Sequence, residues 1–257
     1  MHQSQLEESL AERRIALSAL WRIAPALLQP VLVVAAIFWA RIESIALHPA
    51  ASDINPPTVS RAIADPAIGD IFANLAIAAA VLQSFAVWRI VRALTRTTEG
   101  GTAQVLLLLM VGAQGVAICG MIVLTQYTGP ISDSLHTLGS YMLFAGQGVG
   151  IPLSGIFFYR DDGRRRALGL SAPNNSPAPY DARFHPPFAA LIFVLALVFG
   201  FLYFDPAYIQ GWNDYGYRVA FAFVEIALLV SFEVYLASFI GPMYRYERYM
   251  LGSLHPR

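Results

Sequence analysis

The chain contains no lysine; all 17 of its basic residues are arginine. A retinal Schiff base, which needs a lysine amine, is therefore excluded. A single cysteine, Cys119, stands inside an apolar run, which rules out an internal disulfide and a cysteine metal cluster. Charge is scarce, at 13 % of residues against about 25 % in an ordinary soluble domain. Only one histidine, His136, lies within a long apolar run, while His2, His48, His185 and His255 fall in tails or connections. A bis-histidine haem then lacks its second ligand, and no cofactor or metal is expected. Nor is there an internal repeat of the kind that builds most secondary transporters.

What is present is apolar surface: 56 % hydrophobic residues and a mean hydropathy of +0.53. These values describe a polytopic membrane protein, and the balanced net charge gives no footprint for nucleic acid. The fold class expected is an all-α membrane protein, a bundle of six transmembrane helices. The spans fall at about 20–45, 66–94, 102–127, 132–159, 188–204 and 217–244, each long enough or nearly so for a ~30 Å hydrocarbon layer. Pro25 and Pro30 predict kinks in the first span.

The segments between spans are read in the same way. Residues 1–19 are too polar and acidic for a signal peptide; Leu6, Leu10 and Leu17 recur near helical period, as in an amphipathic helix lying along a membrane surface. A polar loop, 160–187, carries Arg164, Arg165 and Arg166 and then five prolines. An aromatic loop with Tyr208, Trp212 and Tyr215 precedes span six.

Fourteen arginines fall on the side of both chain ends and three, Arg41, Arg61 and Arg218, on the other. Basic residues near span ends stay on the cytoplasmic side, so both termini are expected there.

Span four, Ser132 to Tyr159, is central to this reading. Gly146 and Gly150 share one helical face, where a neighbouring backbone can approach closely. At ~1.5 Å per residue, His136 lies roughly 6 Å and Glu225 roughly 12 Å inside their spans, both in the outer half. Asp70, Asn74, His136, Arg218 and Glu225 are the candidate lipid-binding residues, a polar cluster able to hold a headgroup. Charged groups at depth cost on the order of 3 kcal/mol and find partners. Glu225 is expected to meet His136 or Arg218, and Glu233 to form a structural ion pair with Arg22.

A family resemblance rests on three motifs. Pro57-Thr58-Val59-Ser60 with Pro66 and Gly69-Asp70-Ile71-Phe72, then His136 with Gly139 and Phe144, then Tyr217 and Glu225 with Tyr235 and Phe239 resemble the damage-regulated autophagy modulator (DRAM) and FRAG membrane family. That family includes the N-terminal domain of a yeast cell-wall protein of GPI-lipid remodelling. Arg61, Ile68, Ile226 and Glu233 depart from the animal pattern. The alanine- and arginine-rich composition points to a bacterial inner membrane, where autophagy has no meaning. What the resemblance implies is a six-helix protein that binds or organises lipid or assists lipid-anchor remodelling, with membrane lipids and other membrane subunits as the expected partners. Two other readings stand beside it: a non-catalytic accessory subunit of a larger complex, and a lipid acyltransferase or hydrolase using His136 as catalytic base near Ser132 and Ser134.

Overall fold

The computed structural model describes residues 2–97, 100–167, 185–204 and 214–253. The described residues form α-helices: α1 (His2–Leu47), α2 (Pro49–Ile54), α3 (Val59–Ala62), α4 (Pro66–Thr97), α5 (Gly101–Gln126), α6 (Asp133–Ala167), α7 (His185–Phe204), α8 (Asp214–Ala237) and α9 (Ile240–Ser253). Six stretches, Ser9–Leu47, Pro66–Thr95, Gly101–Gln126, Asp133–Arg160, His185–Tyr203 and Tyr215–Ser253, are long and apolar enough to cross a membrane. Backbone groups in lipid must be satisfied within their own segment, and a helix does this. The six-span bundle expected from the sequence is the fold.

The spans pack as a closed ring in the order α1, α4, α5, α6, α7 and α8–α9, the last returning to α1. The start of α1 and the end of α9 lie at one end, here the terminal end; α2, α3 and the turn at 127–132 cover the other, the loop end. The core runs as one large cluster through α7, α8 and the adjoining faces of α4, α5 and α6, including Ile192, Phe158, Leu228 and Phe232. A smaller cluster, Ile37, Ile63, Ile68 and Phe72, lies under the loop end.

Three boundaries differ from those read in the sequence. Residues 2–19 are not a separate surface helix, because α1 continues unbroken through Pro25 and Pro30. No glycine or turn residue interrupts that stretch, and Ala19 and Ile23 are already buried. Helix α6 extends past Tyr159 to Ala167, so the first residues assigned to the 160–187 loop are helical; 168–184 lie outside the described residues, as do Tyr208 and Trp212. Span six is broken at Ser238–Phe239 and resumes as α9. Pro242 is the cause: it has no N–H to offer the Ser238 carbonyl one turn earlier.

The closest packing is between α5 and α6. A Cβ on Gly146 would stand 2.6 Å from the Ala117 nitrogen and 2.7 Å from the Ala113 carbonyl oxygen, and one on Gly150 would stand 3.2 Å from Gln114 Nε2. Gly120 and Gly139 meet in the same seam. Small residues on both helices let the backbones touch, which replaces the hydrophobic drive that lipid does not supply.

Candidate functional site

Polar groups of the spans gather at three levels. At the loop end, α3 is capped by Thr58, whose Oγ1 accepts from Arg61 N at 3.1 Å. Its next free donor, the Val59 N–H, is given to Glu225 Oε2 at 2.8 Å, and Ser60 faces the same carboxyl. Glu225 is buried, and its affordable resting place is this pair of orphan helix-start donors. Arg61 stands within electrostatic reach of Glu225, Arg218 and Tyr217, and its guanidinium donates to Asn55 Oδ1 and the Pro56 carbonyl. Arg61 thus stands near both the Glu225 carboxyl and a second guanidinium, that of Arg218. On the same loop, Asp65 opens α4 by accepting from Ala67 N at 2.9 Å. Its carboxyl is held below the usual range by the His48 hydrogen bond at 2.8 Å and by that backbone bond.

The other candidate residues are not drawn into this site. Asp70 and Asn74 are exposed on α4, and the Asn74 amide donates to the Asp70 carbonyl at 2.9 Å. His136 Nδ1 lies 3.2 Å from the carbonyl oxygens of both Leu124 and Tyr127. Carbonyls only accept, so Nδ1 carries the proton and the imidazole closes the end of α5. The expected meeting of His136 and Glu225 does not occur: Glu225 turns to the start of α3 and His136 to the carbonyls at the end of α5. Ser132 and Ser134 hydroxyls lie 3.4 Å apart, and the hydrogen bonds of His136 Nδ1 run to main-chain carbonyls rather than to either serine.

Near the middle of the spans, three glutamines form a chain across three helices. Gln83 Nε2 donates to Gln114 Oε1 at 3.2 Å, and Gln114 Nε2 donates to Gln147 Oε1 at 3.0 Å. On the opposite side of the ring Gln29 lies beside Glu233, yet Gln29 Nε2 and Glu233 Oε2 find no hydrogen-bond partner. A cavity of about 50 Å³ between α4, α5, α6 and α8 is apolar except for Gln114, Ser154 and Tyr235; the Tyr235 and Ser154 hydroxyls bond to each other. His185, expected in a connection, is instead the first residue of α7 and is buried between Phe158 and Phe239. The Ser238 hydroxyl donates to the Tyr235 carbonyl, so it accepts from His185 Nε2–H at 3.0 Å.

At the terminal end Glu247 on α9 accepts from Arg22 and from Arg89, each at 3.0 Å. This corrects the expected Arg22–Glu233 pair. Arg22 sits at the level of α9, about two turns of α1 from Gln29, the residue beside Glu233, and two guanidinium groups of α1 and α4 converge on the nearer carboxylate. Glu247 lay beyond the predicted end of span six; the i, i+4 spacing of Met243, Glu247 and Leu251 on a face with Tyr246 was the signal that α9 continues inward.

Between α6 and α7 a groove of about 430 Å³ opens toward the surroundings of the bundle, lined by Tyr141, Phe144, Phe199, Gly200, Tyr203 and Leu228. Tyr141 and Tyr203 stand edge to face, 6.1 Å apart, on the loop-end side of Phe144 and Phe199, which are 4.5 Å apart. An aromatic column connects this groove to the arginines. Tyr217 lies 6.2 Å from Phe221, and Phe221 lies 5.4 Å from Phe199. Tyr217 also donates to the Leu202 carbonyl, which ties α8 to the end of α7. Among the described residues no group of three His, Cys, Asp or Glu side chains could hold a metal ion.

Truncating Glu225 tests its hold on the start of α3. In Glu225→Ala the Val59 and Ser60 donors lose a buried acceptor, at a cost of about 1–3 kcal/mol. Amide exchange at those two residues should accelerate accordingly, with a smaller change in Glu225→Gln, which keeps an acceptor oxygen. Unchanged exchange in the alanine variant would remove Glu225 from its anchoring role. Comparison of the chain with known protein families, with curated proteins and with solved structures finds no match.

Proposed function

We propose that this chain binds a membrane lipid at the loop end of the bundle, with an acyl chain in the groove between α6 and α7 and the headgroup near Arg61 and Arg218. The observation that carries this reading is the groove itself. A concave, largely apolar surface on a membrane span faces lipid tails, and aromatic walls with few polar groups are what such ligands need. The column from Tyr217 through Phe221 to Phe199 gives a continuous path from groove to guanidinium pair. Guanidinium groups match a phosphate in charge and in fork geometry.

The arginine distribution supports placing the termini in the cytoplasm of a bacterial cell and the groove in the outer half of its inner membrane. The resemblance to the DRAM and FRAG family supports the same class of function, lipid binding or assistance in lipid-anchor remodelling. Glu225 serves this site by fixing α3, and with it Arg61, rather than by touching lipid.

The test is native mass spectrometry of protein extracted gently from its own membrane, comparing wild type with Gly200→Trp. A Cβ at Gly200 meets nothing within 4 Å, so the backbone tolerates the change while the indole fills the groove. Displacing two methylenes at ~0.8 kcal/mol each already weakens binding about tenfold, and a retained lipid should fall by at least that factor. Stoichiometric partner chains without retained lipid would overturn the proposal and make the chain an accessory subunit.

A further inference from the structure

We propose that the terminal end of α4 is a second lipid site, specific for an anionic phospholipid of the opposite leaflet, with the phosphodiester on Arg92 and the lipid tail along the face below it. It is built from residues remote from the groove and stands on separate observations.

The guanidinium carbons of Arg89 and Arg92 lie 5.1 and 5.7 Å from the centroid of one indole, that of Trp88. Arg89 is also committed to Glu247, so its charge is compensated. Arg92 differs: among the described residues no carboxylate stands within ion-pair distance of it. Its charge is held at the end of a membrane span by an aromatic face rather than by an acid. The helix ends here also carry Arg13, Arg14, Arg160, Arg245 and Arg248, which outnumber the exposed Glu7 and Glu12, while Arg22 shares Glu247 with Arg89. The surface is cationic where a headgroup layer would meet it.

The residues beneath Arg92 give the partner its class. Trp88, Phe85, Val81 and Ile77 follow at helical spacings of three or four, on one face of α4. All four are exposed, so on a membrane span they meet lipid. From the end inward this face presents a cation, an indole and then an apolar stripe, the order of a phospholipid's phosphate, glycerol and chain. A guanidinium suits a phosphodiester, and tryptophan settles at the boundary between headgroups and tails. Free phosphate would use the first of these features and none of the others, which identifies a lipid as the source of the anion.

The experiment uses the full chain in nanodiscs made from equal parts phosphatidylcholine and phosphatidylglycerol, with the retained lipids read by native mass spectrometry. Wild type should retain phosphatidylglycerol in preference to phosphatidylcholine. Arg92→Gln should lower the retained phosphatidylglycerol about fivefold, the attraction that one basic residue supplies at an anionic leaflet. Arg92→Lys should recover part of it, and Trp88→Leu should lower it with the charge intact. Two results would overturn the proposal: equal phosphatidylglycerol in wild type and Arg92→Gln, or a loss confined to the double variant Arg61→Gln, Arg218→Gln. The groove reading fails or holds separately, because Gly200→Trp leaves Arg92 and Trp88 in place.

Discussion

Gly146→Ala should destabilise the bundle by about 1–3 kcal/mol or more, although alanine is the better helix former by roughly 1 kcal/mol. The added methyl would stand 2.6 Å from the Ala117 nitrogen and 2.7 Å from the Ala113 oxygen. Those atoms are backbone and cannot swing aside as the tip of a side chain can, so the α5–α6 seam itself must open. Overpacking therefore outweighs the propensity gain. Thermal unfolding in detergent, followed by tryptophan fluorescence, should show a lowered midpoint, and Gly146→Val should fail to accumulate as folded protein. Gly148→Ala is the control, since its methyl would meet only Ala196 Cβ at an ordinary 4.0 Å. It should match or exceed wild type in stability. Equal behaviour of the two alanine variants would show that the small-residue seam does not limit stability.

The second large effect concerns Glu247. Replacing it with alanine leaves two guanidinium groups facing one another without their shared acceptor. Breaking a buried ion pair on one side costs about 3–5 kcal/mol. Here the Arg22 side chain is 40 % exposed and that of Arg89 22 % exposed, so both can reach outward to water or headgroups. The expected loss is about 2–4 kcal/mol. Glu247→Gln should fall between, because one amide oxygen can still accept. A double-mutant cycle with Arg89→Gln separates the pair from the rest: the arginine change should cost less once Glu247 is gone. Additive costs would mean that the contact contributes nothing of its own.

The sequence displays the six spans because each is a long apolar run bounded by polar or proline-rich stretches, and backbone chemistry in lipid leaves such a run only one conformation. It displays polar residues inside those runs equally well. What it conceals is partnership. Glu225, Glu233 and Arg22 each read as a buried charge in need of a companion, but the companion depends on which spans are neighbours and at what depth. Glu225 takes main-chain donors of a four-residue helix, which no pattern of charged residues reveals. Arg22 takes Glu247, which lies just past the apolar run that marks span six at 217–244. Gln83, Gln114 and Gln147 could have been found, since each is a lone amide near the centre of a span and such groups seek one another in hydrocarbon. His185 could not, because its burial depends on where α7 begins.

The three acidic side chains buried among the described residues, Glu225, Glu233 and Glu247, all belong to the sixth span, and α1 brings Arg22 to Glu247 and Gln29 beside Glu233. This sets an order of biogenesis. A charged group at the centre of a lone helix costs on the order of 3 kcal/mol to leave facing lipid, so the sixth span, made after the other five, is the one least suited to enter the bilayer unaccompanied. Helix α1 is by then already inserted, holding Gln29 and Arg22 ready. Ring closure thus waits for the sixth span to meet α1 rather than coming as an early collapse. Loss of α9 would leave Arg22 and Arg89 without their shared carboxylate and the flank of the ring open beside α1.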